Sequence, residues 1–308
     1  MPRNGNQWDR RIERARELAA RYPFATEILT FYSKLTAFQQ AFYSRLESRL
    51  GATPSGARNG HLSLGLTQHE LDALLPQFRP FLSFLTVEGT PVLASFARGL
   101  EMNARSEWAE LLTQYWRPSE RELIEPGGGN EVPGEPAWPE NRADAALVDF
   151  RLRGNDDDRT SSRFTALAFL QPYAECLAER AALPPPVVRR PVCPFCGSKP
   201  FVGVLRPEGD GGKRSLVCSF CYTEWEYLRI ACPACEESRD DKMCVYVARQ
   251  FEHVRVEACE TCRAYIKTVD LTKDGLAVPE VDELAAIPLT LWAEEHGYAK
   301  ACRNTLGV

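Results

Sequence analysis

Cys193-Pro194-Phe195-Cys196-Gly197 and, about 40 residues later, Cys232-Pro233-Ala234-Cys235-Glu236 open two copies of one pattern, which Cys218-Ser219-Phe220-Cys221 and Cys259-Glu260-Thr261-Cys262 close. Twenty-one residues separate the pairs in the first copy and twenty-three in the second. Each interval carries two β-rich runs, Phe201–Leu205 and Leu216–Val217, then Cys244–Ala248 and His253–Val256. The segment Pro207–Gly212 between the first two reads as a turn. A C-x-x-C turn brings two thiolates toward one ion while nearby backbone N–H groups point at the sulfurs. Two such turns joined by a short antiparallel hairpin complete a tetrahedral S₄ cage. The pattern therefore predicts two tandem metal ribbons, with Cys193, Cys196, Cys218 and Cys221 in one and Cys232, Cys235, Cys259 and Cys262 in the other. Cross-braced pairing, in which Cys193 and Cys196 share an ion with Cys232 and Cys235, stays open, although the repeat favours self-sufficient copies.

The opening knuckles differ in the residue that follows the second cysteine. Gly197 permits the left-handed backbone that follows the second cysteine of such a turn, whereas the second copy has Glu236 there and is expected to be more strained. A ribbon of this size buries too little core to fold unaided, so metal binding would be part of its folding free energy. Redox-active pairs of the thioredoxin kind belong at the start of a helix in a βαβ pattern, which is absent here. A thiolate cage accepts zinc or iron, and spacing does not choose between them. The remaining cysteines, Cys176, Cys244 and Cys302, read as buried and unreactive. His61, His69, His253 and His296 form no ligand spacing with one another.

Upstream of the ribbons the pattern is helical. Ile28, Phe31, Tyr32, Leu35, Phe38, Phe42, Leu46 and Leu50 recur at three- and four-residue steps, with Pro23 suited to the first turn and Gly51 just past the end. Thr67-Gln68-His69-Glu70 has the form of a capping box. Thr90-Pro91 starts a helix through Leu93, Phe96 and Leu100 that is extended here to Leu111, Leu112 and Tyr115. Glu125–Pro139 and Gly154–Asp158 read as loops; helical spacing returns over Phe164–Glu179 and stops before Pro184-Pro185-Pro186. Asp282–Tyr298 is an amphipathic helix interrupted or restarted at Pro288. The fold class expected is α plus small β: a helical domain over 1–185, ribbons over 186–230 and 231–272, and a helical tail over 273–308.

A net charge of −5 argues weakly against a polyanion binder. Residues 187–308 hold 16 Lys+Arg against 18 Asp+Glu before any thiolate is counted, leaving Arg189, Arg190, Lys213 and Arg214 as the one candidate basic patch for a nucleic-acid-binding zinc ribbon. No apolar run follows Arg10-Arg11 as an export signal would require, and no window is long and apolar enough for a membrane span. A cytoplasmic chain is expected, without membrane insertion. No phosphate-binding glycine loop or nucleophile–base constellation is present in the sequence.

Leu170-Gln171-Pro172-Tyr173-Ala174-Glu175, the two cysteine copies, Thr223-Glu224-Trp225, Arg263-Ala264-Tyr265-Ile266-Lys267 and Leu291–Tyr298 together closely resemble formate dehydrogenase accessory proteins of the FdhE type. The resemblance is specific from about residue 164 onward and looser in the N-terminal helices. It implies rubredoxin-like cysteine modules associated with iron, and a non-catalytic, cytoplasmic protein that binds the catalytic subunit of respiratory formate dehydrogenase. An electron carrier of rubredoxin type is the other alternative, but a helical region of this length is unnecessary for that task.

Overall fold

The structure, a computed structural model, describes residues 6–49, 57–58, 61–62, 65–117, 158–181, 190–209 and 211–307. Gly51, the Glu125–Pro139 loop, residues 154–157, the three prolines and Arg189 lie outside them. Among the described residues six helices come first: α1 (Asn6–Arg21), α2 (Thr26–Arg49), α3 (Gln68–Glu88), α4 (Pro91–Glu101), α5 (Arg105–Trp116) and α6 (Asp158–Arg180), with a short hairpin of β1 (Ala57–Arg58) and β2 (His61–Leu62) between α2 and α3. Pro23 falls in a single 3₁₀ turn ahead of α2 rather than inside it.

The Thr67 capping box forms as read: its hydroxyl accepts the Glu70 N–H while the Glu70 carboxylate accepts the Thr67 N–H. The run from Thr90 to Tyr115 is two helices, not one. Asn103 N–H closes back on the Leu100 carbonyl, and the Trp108 indole donates to the same oxygen at 2.7 Å, so the ladder is diverted and the chain turns before α5. Aromatic stripes pack where the helices face: Phe42 stacks on Phe169 at 4.9 Å, and Phe78 meets Phe169 and Trp108 edge-on.

The ribbons supply β3 (Pro200–Glu208), β4 (Gly211–Cys218), β5 (Glu224–Glu226), β6 (Met243–Val247), β7 (Val254–Cys259) and β8 (Ala264–Asp270). After them come α7 (Pro279–Ala285), α8 (Ile287–Glu295) and β9 (Ala299–Lys300), with the helical tail divided at Ala286. The first hairpin is tighter than its prolines and glycines suggest, since β3 and β4 pair out to Glu208 opposite Gly211.

The copies are not separate modules. They merge in one seven-stranded sheet of order β5-β4-β3-β8-β7-β6, with β9 beside β8. The seam is the parallel pair β3–β8, with Val202 opposite Lys267 and Gly203 opposite Thr268. A Cβ on Gly203 would stand 2.3 Å from the Thr268 hydroxyl, so glycine is what lets the two ribbons approach. Behind the seam, Arg214 of β4 pairs with Glu257 of β7 at 2.6 Å, both buried. Burial would raise the Glu257 carboxyl, yet Arg214 and Arg255 hold it below its ordinary value. One apolar core runs from the helices into the sheet and includes Phe78, Phe169, Trp116, Phe195, Phe220, Val256 and Trp292.

Candidate metal centres

All four knuckles use the same backbone. The residue after the second cysteine turns left-handed in each: Gly197 at φ 75°, Tyr222 at 54°, Glu236 at 62° and Arg263 at 59°. Gly197, Glu236 and Arg263 donate their N–H groups back to the carbonyls of Cys193, Cys232 and Cys259. Only one of the four positions is glycine, so three knuckles carry a conformation that L-residues resist.

The sulfurs group sequentially. Cys193, Cys196, Cys218 and Cys221 form one cluster and Cys232, Cys235, Cys259 and Cys262 the other, each with its ligand atoms within 4.8 Å of one another. Closest approaches are 3.3 Å (Cys196–Cys218) and 3.6 Å (Cys193–Cys221) in the first, and 3.6 Å (Cys232–Cys262) and 3.7 Å (Cys235–Cys259) in the second. A tetrahedron of metal–sulfur bonds of about 2.3 Å has edges of about 3.8 Å. All eight cysteines are free rather than disulfide-linked. The donor set therefore fits two ions, one per cluster, and the cage chemistry suits iron and zinc alike.

Electrostatics points the same way. Burial pushes the Cys218 and Cys221 thiols well above their ordinary range, with Cys193 hydrogen bonds adding to the effect, and burial also raises Cys232. Four thiolates at these separations are tolerable only around a cation. The backbone helps: Phe220 N–H points at the Cys218 sulfur and Ala234 N–H at the Cys232 sulfur, each at 3.4 Å.

The clusters differ sharply in surroundings. The first is buried at every cysteine, whereas Cys235 and Cys262 of the second are exposed. The difference follows from the third position of each knuckle. Phe195 and Phe220 fill it in the first copy; Phe220 meets Trp116 of α5 edge-on at 5.7 Å, and the Phe195 carbonyl accepts the Leu62 N–H of β2. Ala234 and Thr261 hold the matching places in the second copy, and both are exposed.

Of the other cysteines, Cys176 and Cys302 are buried, but Cys244 is only half-buried on β6, which no further strand among the described residues flanks. His253 stands outside both clusters, where its Nε2 lies 2.8 Å from Asp282 Oδ1 with Asp274 close by. That triad already has its cation: Arg14 donates to Asp282 at 2.6 Å and to Asp274 at 2.8 Å. His296 lies against the Trp292 carbonyl and His69 is exposed, while the His61 side chain is outside the described residues. The basic patch considered for nucleic acid does not assemble. Arg214 points inward to Glu257, Lys213 is paired with Glu226 at 2.9 Å, and Arg190 alone of the described three is unengaged by an acid.

The family model described as "FdhE, central domain" matches residues 192–229, which hold the first cluster, and "FdhE, C-terminal domain" matches 230–306, which hold the second. Residues 192–306 thus match the central and C-terminal domains of the FdhE family. The similarity to FdhE proteins extends beyond those two segments. An FdhE homolog of Aquifex aeolicus is 28% identical over 309 residues, spanning 96% of this chain and 94% of that protein. One from Pectobacterium carotovorum is 26% identical over 96% of this chain and 85% of its own length. The crystal structure of the FdhE protein from Pseudomonas aeruginosa superposes with a TM-score of 0.64 over 99% of this chain and 97% of that one, at 22% identity, showing a shared FdhE fold.

Proposed function

We propose that this chain is a non-catalytic accessory protein of respiratory formate dehydrogenase. In this reading it binds the enzyme's catalytic subunit in the cytoplasm, through a surface built from the helices and the metal ribbons. Similarity to FdhE proteins along the chain supports the accessory role. The observation that carries the non-catalytic part is that each candidate centre is closed by four of the chain's own sulfurs, leaving no position for substrate. Among the described residues no helix is long and apolar enough to cross a membrane.

Cys193, Cys196, Cys218 and Cys221 would hold one ion and Cys232, Cys235, Cys259 and Cys262 the other, with iron implied by the family resemblance and zinc equally compatible with the cage. Bound metal would supply charge neutralisation and cross-linking to the fold. Three measurements test the reading. Freshly purified, reduced protein should contain two ions per chain, and less than one would remove the metal assignment. Tagged protein should retain a formate dehydrogenase catalytic subunit from cytosol, and deletion of the gene should abolish respiratory formate oxidation. Turnover of formate by the isolated chain, or no retention of the subunit under either reducing or oxidising conditions, would overturn the accessory role.

A further inference from the structure

We infer that the two centres have different tasks: the first is a permanent structural ion, and the second is an exchangeable centre that solvent and other molecules reach directly. The inference rests on the metal assignment above and concerns how each cage releases its ion.

A tetrahedral thiolate site gives up metal when an incoming ligand or a proton reaches a coordinating sulfur. The thiolate takes the proton, its metal–sulfur bond breaks, and the ion passes to the incoming ligand. Access to sulfur therefore sets the rate unless the protein first opens. In the first centre Cys193, Cys196, Cys218 and Cys221 are 2%, 5%, 0% and 1% exposed. Their roof is the core itself, because Phe195 and Phe220 are each 2% exposed and Phe220 packs on Trp116, which is fully buried. Reaching those sulfurs requires the helices to separate from the sheet.

The second centre lacks that roof. Cys232 and Cys259 are buried, but Cys235 and Cys262 face solvent, flanked by exposed Ala234, Glu236 and Thr261. The two exposed cysteines are the second of their knuckles, and the two buried ones the first. The contrast is written into the repeat: Phe195 answers to Ala234, and Phe220 to Thr261. The cage also adjoins β6, an outer strand of the sheet among the described residues, where Val245 and Val247 are 53% and 41% exposed. Met243 at the start of that strand pairs with Cys259, a buried ligand of the same cage.

The test uses full-length protein loaded with two zinc ions and the chromogenic chelator 4-(2-pyridylazo)resorcinol in excess. Release should be biphasic, one ion leaving at least about tenfold faster than the other, as expected when one site needs no opening and the other does. Brief alkylation of the loaded protein, followed by peptide mass spectrometry, should label Cys235 and Cys262 before any cysteine of the first copy. Cys262→Ser should abolish the fast phase and keep the slow one. Fewer than two ions at the outset would fail the metal assignment itself. Two ions released in a single phase, or first-copy cysteines labelled first, would overturn the distinction while leaving that assignment intact.

Discussion

Gly197 and Glu236 occupy equivalent places in the two copies, and both adopt a left-handed backbone, at φ 75° and 62°. An L-residue there costs roughly 1 kcal/mol or somewhat more relative to glycine. Gly197→Ala should accordingly lower stability by about 1 kcal/mol, and Glu236→Gly should raise it by up to a similar amount. Thermal melts of the metal-loaded variants measure both, and equal effects of the same sign would contradict the backbone argument. The strain at Glu236 was legible in the sequence because glycine in one copy marks the position in the other. Tyr222 and Arg263, at φ 54° and 59°, were not flagged, since their copies offer no glycine for contrast. The cysteines were legible for a different reason: metal needs fixed residue types at fixed spacing, and nothing in the fold can substitute for them. Cys244, expected to be buried, is half-buried because burial depends on whether its strand is central or at an edge, which composition does not tell.

At the level of elements, local signals survived and long-range ones did not. The Thr67 cap lies within four residues and formed as read, whereas the α4–α5 break depends on the Trp108 indole reaching the Leu100 carbonyl. Strand β8 follows the last cysteine, outside both cysteine intervals, and its parallel contact with β3 fuses the two copies that the repeat alone presents as self-sufficient. That seam yields a prediction. Gly203→Ala places a Cβ 2.3 Å from the hydroxyl of the buried Thr268, forcing the strands apart at an expected cost of about 1–3 kcal/mol. Adding Thr268→Ala should recover much of it, which a double-mutant cycle by denaturant unfolding would detect. Lys267 on β8 gives a pH-dependent prediction. Burial pushes its ammonium down to about 8, against the Glu283 carboxylate 2.9 Å away that pulls it up. An unfolded lysine titrates near ~10.4, so between these values the unfolded chain binds more protons than the folded one. This group's contribution to stability therefore rises with pH across that window and is lost as pH falls through about 8. A ¹³C-lysine spectrum should show one Cε resonance with a midpoint near 8 that disappears in Lys267→Met. Glu283 would keep Lys300 and Asn304 as partners in that variant. A spectrum in which every lysine titrates near the unfolded value would refute it.

Across the whole molecule, the chain's two ends meet through buried charge. Arg11 of α1 donates to Glu175 of α6 at 2.8 and 3.1 Å and to Glu280 of α7, while Arg14 binds Asp282 and Asp274. The Arg11 guanidinium also lies 4.8 Å from the ring centre of Tyr222, the left-handed residue directly after Cys221. Helix α1, the second knuckle of the first metal centre and α7 are thus joined at one side chain. None of this was visible in sequence, because partners 164 and 269 residues apart have no local signature. Surface ion pairs contribute little, but removing one member of a buried set leaves the others desolvated and uncompensated. In Arg11→Met, Glu280 loses this partner and Glu175 keeps the Gln171 amide at 2.6 Å, so the expected loss is about 3–5 kcal/mol. Because a single core spans helices and sheet, the loss should appear as a shift of one unfolding transition followed together by helix circular dichroism and by metal release from the first centre. A variant whose helices melt early while that centre keeps its ion would show that the two halves unfold independently, and that Arg11 does not couple them.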